Sequence, residues 1–202
     1  MKRVWTATYM LGILAEILIR APHERRRRQT LMAVEQVDRL ERSLIGLLFC
    51  GVFFVPAVYT WTAWLDWANY RLSAQRERQA GTLGTVLMVS AVWVFWRAHR
   101  DLGQNWSPSL QLRQEHALVT RGVYRYVRHP MYASQWLWSA AQALLLHNWI
   151  AGMASFVLFA PLYVLRVPRE ERMLLQQFGP AYQRYMERTG RVLPRMRNIR
   201  SD

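Results

Sequence analysis

A guanidinium, an imidazole and a phenol fall within five consecutive residues, Arg128-His129-Pro130-Met131-Tyr132. A second guanidinium and a pair of carboxylates recur farther on, in Arg166-Val-Pro-Arg169-Glu170-Glu171-Arg172. Side chains of these types hold and orient charged groups, and Arg166 and Glu170, at i and i+4, share one helix face. The first cluster closes the run Gly122-Val-Tyr124-Arg-Tyr126-Val, which lies between a polar, basic stretch and an apolar one. Proline at a first helical position starts a helix there. Arg128 and His129 are therefore expected at the positive end of a helix dipole, where an apolar segment meets water. The second cluster leaves an apolar segment at the same level, so the two should meet at one membrane face.

Other chemistries lack their residues. His23, His99, His116, His129 and His147 are too scattered for a zinc motif, and the single cysteine, Cys50, excludes a thiolate cluster and an internal disulfide. No metal is expected. The sequence holds neither Gly-x-Ser-x-Gly nor a phosphate-cradling glycine loop. Taken singly, each remaining residue also has a plainer reading. Arg166 with Glu170 suits a surface ion pair of little energetic worth, and His129 suits a helix cap. Tyr124, Tyr126 and Tyr132 suit the aromatic belt of a membrane interface. The combination is what favours a site.

The elements that would position these residues show in the segregation of apolar from charged positions. Hydrophobic residues make up 52% of the 202, yet the mean hydropathy is only −0.08, because the two kinds occupy separate blocks. Apolar blocks cover residues 4–19, 44–65, 80–96, 131–147 and 149–165. A bilayer span takes about 20 mostly apolar residues. The second block suffices alone, and the others need their flanks. The last two are separated only by Asn148, so they are expected to form a helical hairpin turning at His147-Asn148. The fold class expected is all-α, an integral membrane bundle of five transmembrane helices forming a single domain over residues 1–202. Within it, residues 1–97 would supply a three-helix N-terminal part and residues 98–202 the part carrying the site. Lys2 and Arg3 precede the first block as they would in a signal peptide. Glu16 inside the block, and the lack of a small-residue cleavage motif, argue for a retained helix instead.

The formal net charge of +14 raises the prospect of a nucleic-acid partner. The basic residues, however, flank apolar blocks instead of forming a stripe, so no nucleic acid is expected. The run at residues 25–28 suits the anionic headgroups of membrane lipids. With the N-terminus outside, twenty-one basic residues fall on inner segments and five on outer ones, with Arg97 at a helix end. That asymmetry places both charged clusters in the cytoplasm, in the inner membrane if the source is prokaryotic.

At this point several motifs stand together: His116-Ala117-Leu118-Val119, Gly122-Val-Tyr124, Arg128-His129-Pro130-Met131-Tyr132, Arg166-x-x-x-Glu170-Glu171, Phe178-Gly-x-x-Tyr182-x-x-Tyr185 and Leu193-Pro194. In order and spacing this set resembles the isoprenylcysteine carboxyl methyltransferase family, over roughly residues 101–194. The five-span layout looks like that of compact prokaryotic members, since eukaryotic members carry extra N-terminal helices. Asn105-Trp106-Ser107 is a weaker match. The resemblance implies S-adenosylmethionine as methyl donor. It implies that His116, Ala117, Leu118 and Val119 line the cofactor, with Tyr124, His129, Pro130, Met131 and Tyr132 around it. Glu170 would hold a polar group of the cofactor. Arg166 would be the catalytic, substrate-binding residue that faces a carboxylate. The implied acceptor is lipophilic, of the S-isoprenylcysteine type; a phospholipid amine or a small thiol is the alternative.

These roles agree with the demands of the reaction. A carboxylate attacking a sulfonium methyl is already a nucleophile, so the protein must align two oppositely charged groups and strip their water. A planar guanidinium suits a carboxylate better than an ammonium does. The helix start at Pro130 would offer backbone N–H groups to the cofactor's own carboxylate.

Overall fold

The computed structural model describes residues 2–27, 32–35, 39–103, 111–113 and 117–195. Helix α1 spans Lys2–Arg27 and α2 spans Arg39–Phe49. A π-turn over Cys50–Phe54 continues α2 directly into α3, Val55–Trp61. Helix α4 covers Ala74–Leu102, and Ser73 caps it by accepting the Arg76 N–H. Helix α5, Pro130–Leu145, opens on its proline, and α6, Trp149–Phe178, is followed by the short α7, Pro180–Arg188. The all-α expectation holds for the bundle, with one small strand pairing beside it. Strands β1 (Met32–Glu35) and β2 (Gln111–Arg113) pair antiparallel, with a bulge between Met32 and Val34, joining the segments after α1 and α4.

Among the described residues, four helical stretches are long and apolar enough to cross a membrane: Arg3–Arg25, Arg39–Trp61, Ala74–Leu102 and Trp149–Phe178. The protein is a multi-pass membrane protein. Leu11, Leu14 and Leu18 on α1, Leu83, Val86 and Val89 on α4, and Val157 and Val164 on α6 are all exposed. Outward apolar faces of this kind are what a lipid solvent requires. Helix α5 differs. Its 16 residues rise about 24 Å, short of the roughly 30 Å of a hydrocarbon core. It packs between α4 and α6 and buries Ser134, Gln135, Ser139 and Gln142. An interior helix can carry such polar residues because it meets protein instead of lipid. The second apolar block ends its helix at Trp61, four residues before the sequence pattern does, and the fifth runs on as helix to Phe178, past the charged cluster.

The hairpin turns where its one polar break falls. The Asn148 side chain accepts the Ile150 and Ala151 N–H groups at 3.1 and 2.9 Å, an N-cap for α6. Its amide donates to the Leu65 carbonyl and to Asn69 Oδ1, tying the hairpin to the loop after α3. The opposite end of the bundle gathers the C-terminal ends of α1 and α4, the start of α2, the start of α5 and the charged half of α6.

Gln142 holds the middle of the bundle together. Its amide nitrogen donates to the carbonyls of Gly51 at 2.9 Å and Ala151 at 2.6 Å, while its oxygen accepts the Tyr9 hydroxyl at 2.7 Å. The Val55 N–H bonds the Cys50 carbonyl and Pro56 has no N–H, so the Gly51 carbonyl lacks a helical donor and Gln142 supplies one. Gln142→Leu leaves the Gly51 carbonyl buried without its donor, while the Tyr9 hydroxyl keeps the Val52 carbonyl as acceptor, so the cost is about 1–3 kcal/mol. The expected result is a clear drop in the thermal unfolding midpoint followed by tryptophan fluorescence. An unchanged midpoint would contradict the assigned role.

Candidate active site

The loop before α5 is shaped by Gly122, whose φ of +61° suits glycine. A Cβ there would stand 2.1 Å from the Asp101 carboxylate. That carboxylate accepts the Val123 N–H at 2.9 Å and so fixes the loop to the end of α4. On the other side, a strap after α7 runs beside residues 127–129. Gly190 and Arg191 lend their carbonyls to the N–H groups of Arg128 and His129, both at 2.9 Å. Tyr185 of α7 donates its hydroxyl to the Tyr124 carbonyl at 2.6 Å. Burial pushes the Tyr182 and Tyr185 hydroxyls above the usual phenol range, so both stay protonated and Tyr185 serves as a donor. The loop is thus clamped between α4 and α7, and Pro130 starts α5 at a fixed point. The first helical N–H groups have no intrahelical partner, and Met131 and Tyr132 both line the cavity.

Glu171 is the hub of the charged cluster. Its Oε1 accepts from Arg128 Nε at 2.8 Å and from Arg191 Nε at 3.1 Å, and its Oε2 accepts from a terminal guanidinium nitrogen of Arg191 at 2.7 Å. The His129 Nε2 lies 3.2 Å from the same Oε1. The neighbouring Glu170 turns the other way. It accepts the Tyr132 hydroxyl at 2.7 Å, stands 3.8 Å from His129 Nδ1, and keeps 27% of its side chain exposed. His129 is therefore a link between two carboxylates and makes no side-chain cap on α5.

Arg166 is buried, and its partners differ from the sequence reading. Its Nε stands 4.0 Å from Glu170 Oε2, while a terminal nitrogen pairs with Glu41 of α2 at 3.0 Å. Glu41 is 1% exposed. Among the described residues Arg166 Nε has no hydrogen-bond partner. The surface i,i+4 pair expected as the plainer reading is thus a buried cluster in which Glu41 supplies the closer countercharge. No sequence spacing signals Glu41, which joins the site from a separate helix. An Arg166 variant is accordingly expected to lose stability as well as any activity.

A cavity of about 270 Å³ lies between these groups. Of the residues singled out in the sequence, Ala117, Leu118, Val119, Tyr124, His129, Pro130, Met131, Tyr132, Arg166 and Glu170 all line it. His116 lies outside the described residues, as do Asn105, Trp106 and Ser107. Tyr126 is exposed and does not line the cavity. The rest of the wall includes Leu48, Phe49, Val52 and Phe53 of α2 and the π-turn, Phe95 and His99 of α4, and Glu16 and Arg20 of α1. Among the described residues no group of three or more His, Cys, Asp or Glu is placed to hold a metal ion.

The segment that builds this cavity, residues 83–176, matches the model of the isoprenylcysteine carboxyl methyltransferase (ICMT) family. The match covers 94 of the 202 residues, just under half of the chain. Relatives named protein-S-isoprenylcysteine O-methyltransferase agree. The Dictyostelium discoideum protein is 31% identical over 137 residues, 65% of this chain and 55% of its own length. The form B protein of Arabidopsis thaliana is 35% identical over 94 residues, 46% of this chain and 48% of its own. The chain spans about half the length of these relatives. A solved structure of the eukaryotic intramembrane Ras methyltransferase ICMT aligns with a TM-score of 0.46 at 23% identity, over 80% of this chain and 54% of that one. The ICMT segment covers α5, most of α4 and most of α6; the wall from α1 and α2 lies outside it.

Proposed function

We propose that this protein is an S-adenosylmethionine-dependent membrane O-methyltransferase that methylates the carboxylate of an S-isoprenylcysteine-type lipophilic acceptor. The observation that carries the reading is the cavity lined by every described residue to which the resemblance gives a cofactor or acceptor role. It supports a fit for the cofactor, whose charged and polar groups find matching partners. The part-exposed Glu170 carboxylate suits the cofactor's ammonium or hydroxyl groups, and the N–H groups of Met131 and Tyr132 suit its carboxylate. Ala117, Leu118 and Val119 offer an apolar surface. When bound, the cofactor supplies an electrophilic sulfonium methyl group.

The rest is positioning by the protein. Tyr132 and His129 hold Glu170 in one orientation. Arg166 would orient the acceptor carboxylate, while Glu41 limits the net pull. That balance matters because too strong a grip would dull the nucleophile. The apolar wall of α2 and Phe95 excludes water, which strengthens the remaining electrostatic contacts. In this reading α5 completes a five-helix layout like that of compact prokaryotic members. The basic segments at the site end then face the cytoplasm, in the inner membrane of a prokaryote.

Glu170→Gln should weaken S-adenosylhomocysteine binding about 10–100-fold, the worth of one hydrogen bond to a charged group. Calorimetry on the purified protein reads this directly, and unchanged affinity would remove Glu170 from the cofactor site. One observation favours the second reading, an amine or thiol acceptor: Arg166 already has a close countercharge in Glu41. A panel of lipid carboxylates, amines and thiols with labelled cofactor separates the two. Transfer confined to amines or thiols would overturn the carboxylate assignment.

A further inference from the structure

Glu16 stands in α1 among Ile13, Leu14, Ala15, Ile17 and Leu18, on a helix that needs no charge to pack. Its Oε2 is buried and, among the described residues, accepts no hydrogen bond. Glu16 nonetheless lines the cavity, alongside Arg20 one turn later. A carboxylate within a membrane helix is costly, and such residues mark binding sites or relays. The groups that suit the cofactor come from residues 117–132 and Glu170. Glu16 lines the cavity together with the apolar side chains of Leu48, Phe49, Phe53 and Phe95. That apolar wall is where a hydrocarbon tail would lie.

We propose that Glu16 selects the methyl acceptor by taking a hydrogen bond from an N–H on the carbon that bears the methylated group. The proposal rests on the acceptor reading above. A carboxylate accepts from N–H or O–H groups and repels anions, so it cannot itself bind the acceptor carboxylate. It reads the donor beside it and disfavours acceptors with a second negative charge. This role lies in the part of the chain outside the family segment, so it bears on the acceptor of this protein in particular.

The test uses the full chain in lipid nanodiscs with S-adenosylhomocysteine present. The probes are N-acetyl-S-farnesylcysteine, which carries the N–H, and S-farnesylthiopropionate, which has no nitrogen. Binding is followed by tryptophan fluorescence, so the readout does not depend on turnover. The wild type should bind the first probe about tenfold tighter, the worth of one hydrogen bond to a carboxylate. Glu16→Leu should erase that preference by weakening only the first probe, whereas Glu16→Gln, which keeps an acceptor oxygen, should retain most of it. S-adenosylhomocysteine affinity should stay unchanged in both variants, which reports an intact fold. A wild type without preference, or a Glu16→Leu loss equal for both probes, would overturn the proposal while leaving the acceptor class standing. A wild type that binds neither probe would overturn both.

Discussion

Glu171→Ala is expected to cost about 3–5 kcal/mol of stability and to abolish cofactor binding. The carboxylate is 5% exposed, and Arg128, which it neutralises, is 10% exposed. Removing one partner of a buried pair leaves the other charge without compensation, and that penalty is about 3–5 kcal/mol. For a chain of this size the unfolding midpoint should fall by about 10 °C. The loss also has a place. Arg191 is held by two hydrogen bonds to Glu171, and the strap it belongs to supplies the carbonyls that fix Arg128 and His129. Once Arg191 is released, trypsin should cut after it before global unfolding sets in. His129 loses one of its two carboxylates, so Glu170 and Tyr132 lose their fixed orientation. Limited proteolysis followed by mass spectrometry, with S-adenosylhomocysteine calorimetry alongside, reads both effects. Normal affinity together with an uncut strap would show that Glu171 is dispensable to the site. Gly190 allows this strap to close, since a Cβ there would meet the Leu193 carbonyl at 1.8 Å.

The same cluster shows which features the sequence makes legible. Helix α5 begins at Pro130 and the hairpin turns at Asn148 because each depends on local chemistry: a ring with a fixed φ, and a side chain that caps. For the lining from residues 117–132 and 166–170 the sequence signal is the motif resemblance, to which the helix period adds only that Arg166 and Glu170 share a face. What escaped depends on pairings across long stretches of chain. Glu170 and Glu171 are adjacent, and only the position of the strap after α7 decides which one meets Arg128. Glu41 pairs with Arg166 from a helix 125 positions earlier in the chain, a contact without any spacing signature. The π-turn at Cys50–Phe54 is equally hidden, because it requires Gln142 on a distant helix to satisfy its carbonyl. Helix α5 read as a fifth span from composition; its short length and buried polar face identify it as interior only when its neighbours are in place.

Arg166→Leu is expected to remove methyl transfer altogether, but alone it cannot say why. Glu41, 1% exposed, would be left as a buried charge without its guanidinium, and the protein would lose about 3–5 kcal/mol. The informative variant is the pair Glu41→Leu with Arg166→Leu. Replacing both partners of a buried ion pair with apolar residues of similar volume is often neutral or stabilising. The double variant should therefore regain the wild-type unfolding midpoint and bind S-adenosylhomocysteine normally. Its turnover should stay about 100–1000-fold down, because losing an oriented group in a water-poor site typically costs about 10²–10³ in rate. The two losses then separate: stability returns with the second substitution and chemistry does not. Recovery of turnover in the double variant would mean that Arg166 serves only to neutralise Glu41. Glu41→Gln alone sharpens the distinction. It removes the closer countercharge and leaves Arg166 more strongly cationic, so a carboxylate acceptor should bind more tightly and react more slowly. An amine acceptor should bind more weakly. The direction of that change in KM identifies the charge of the group that Arg166 faces.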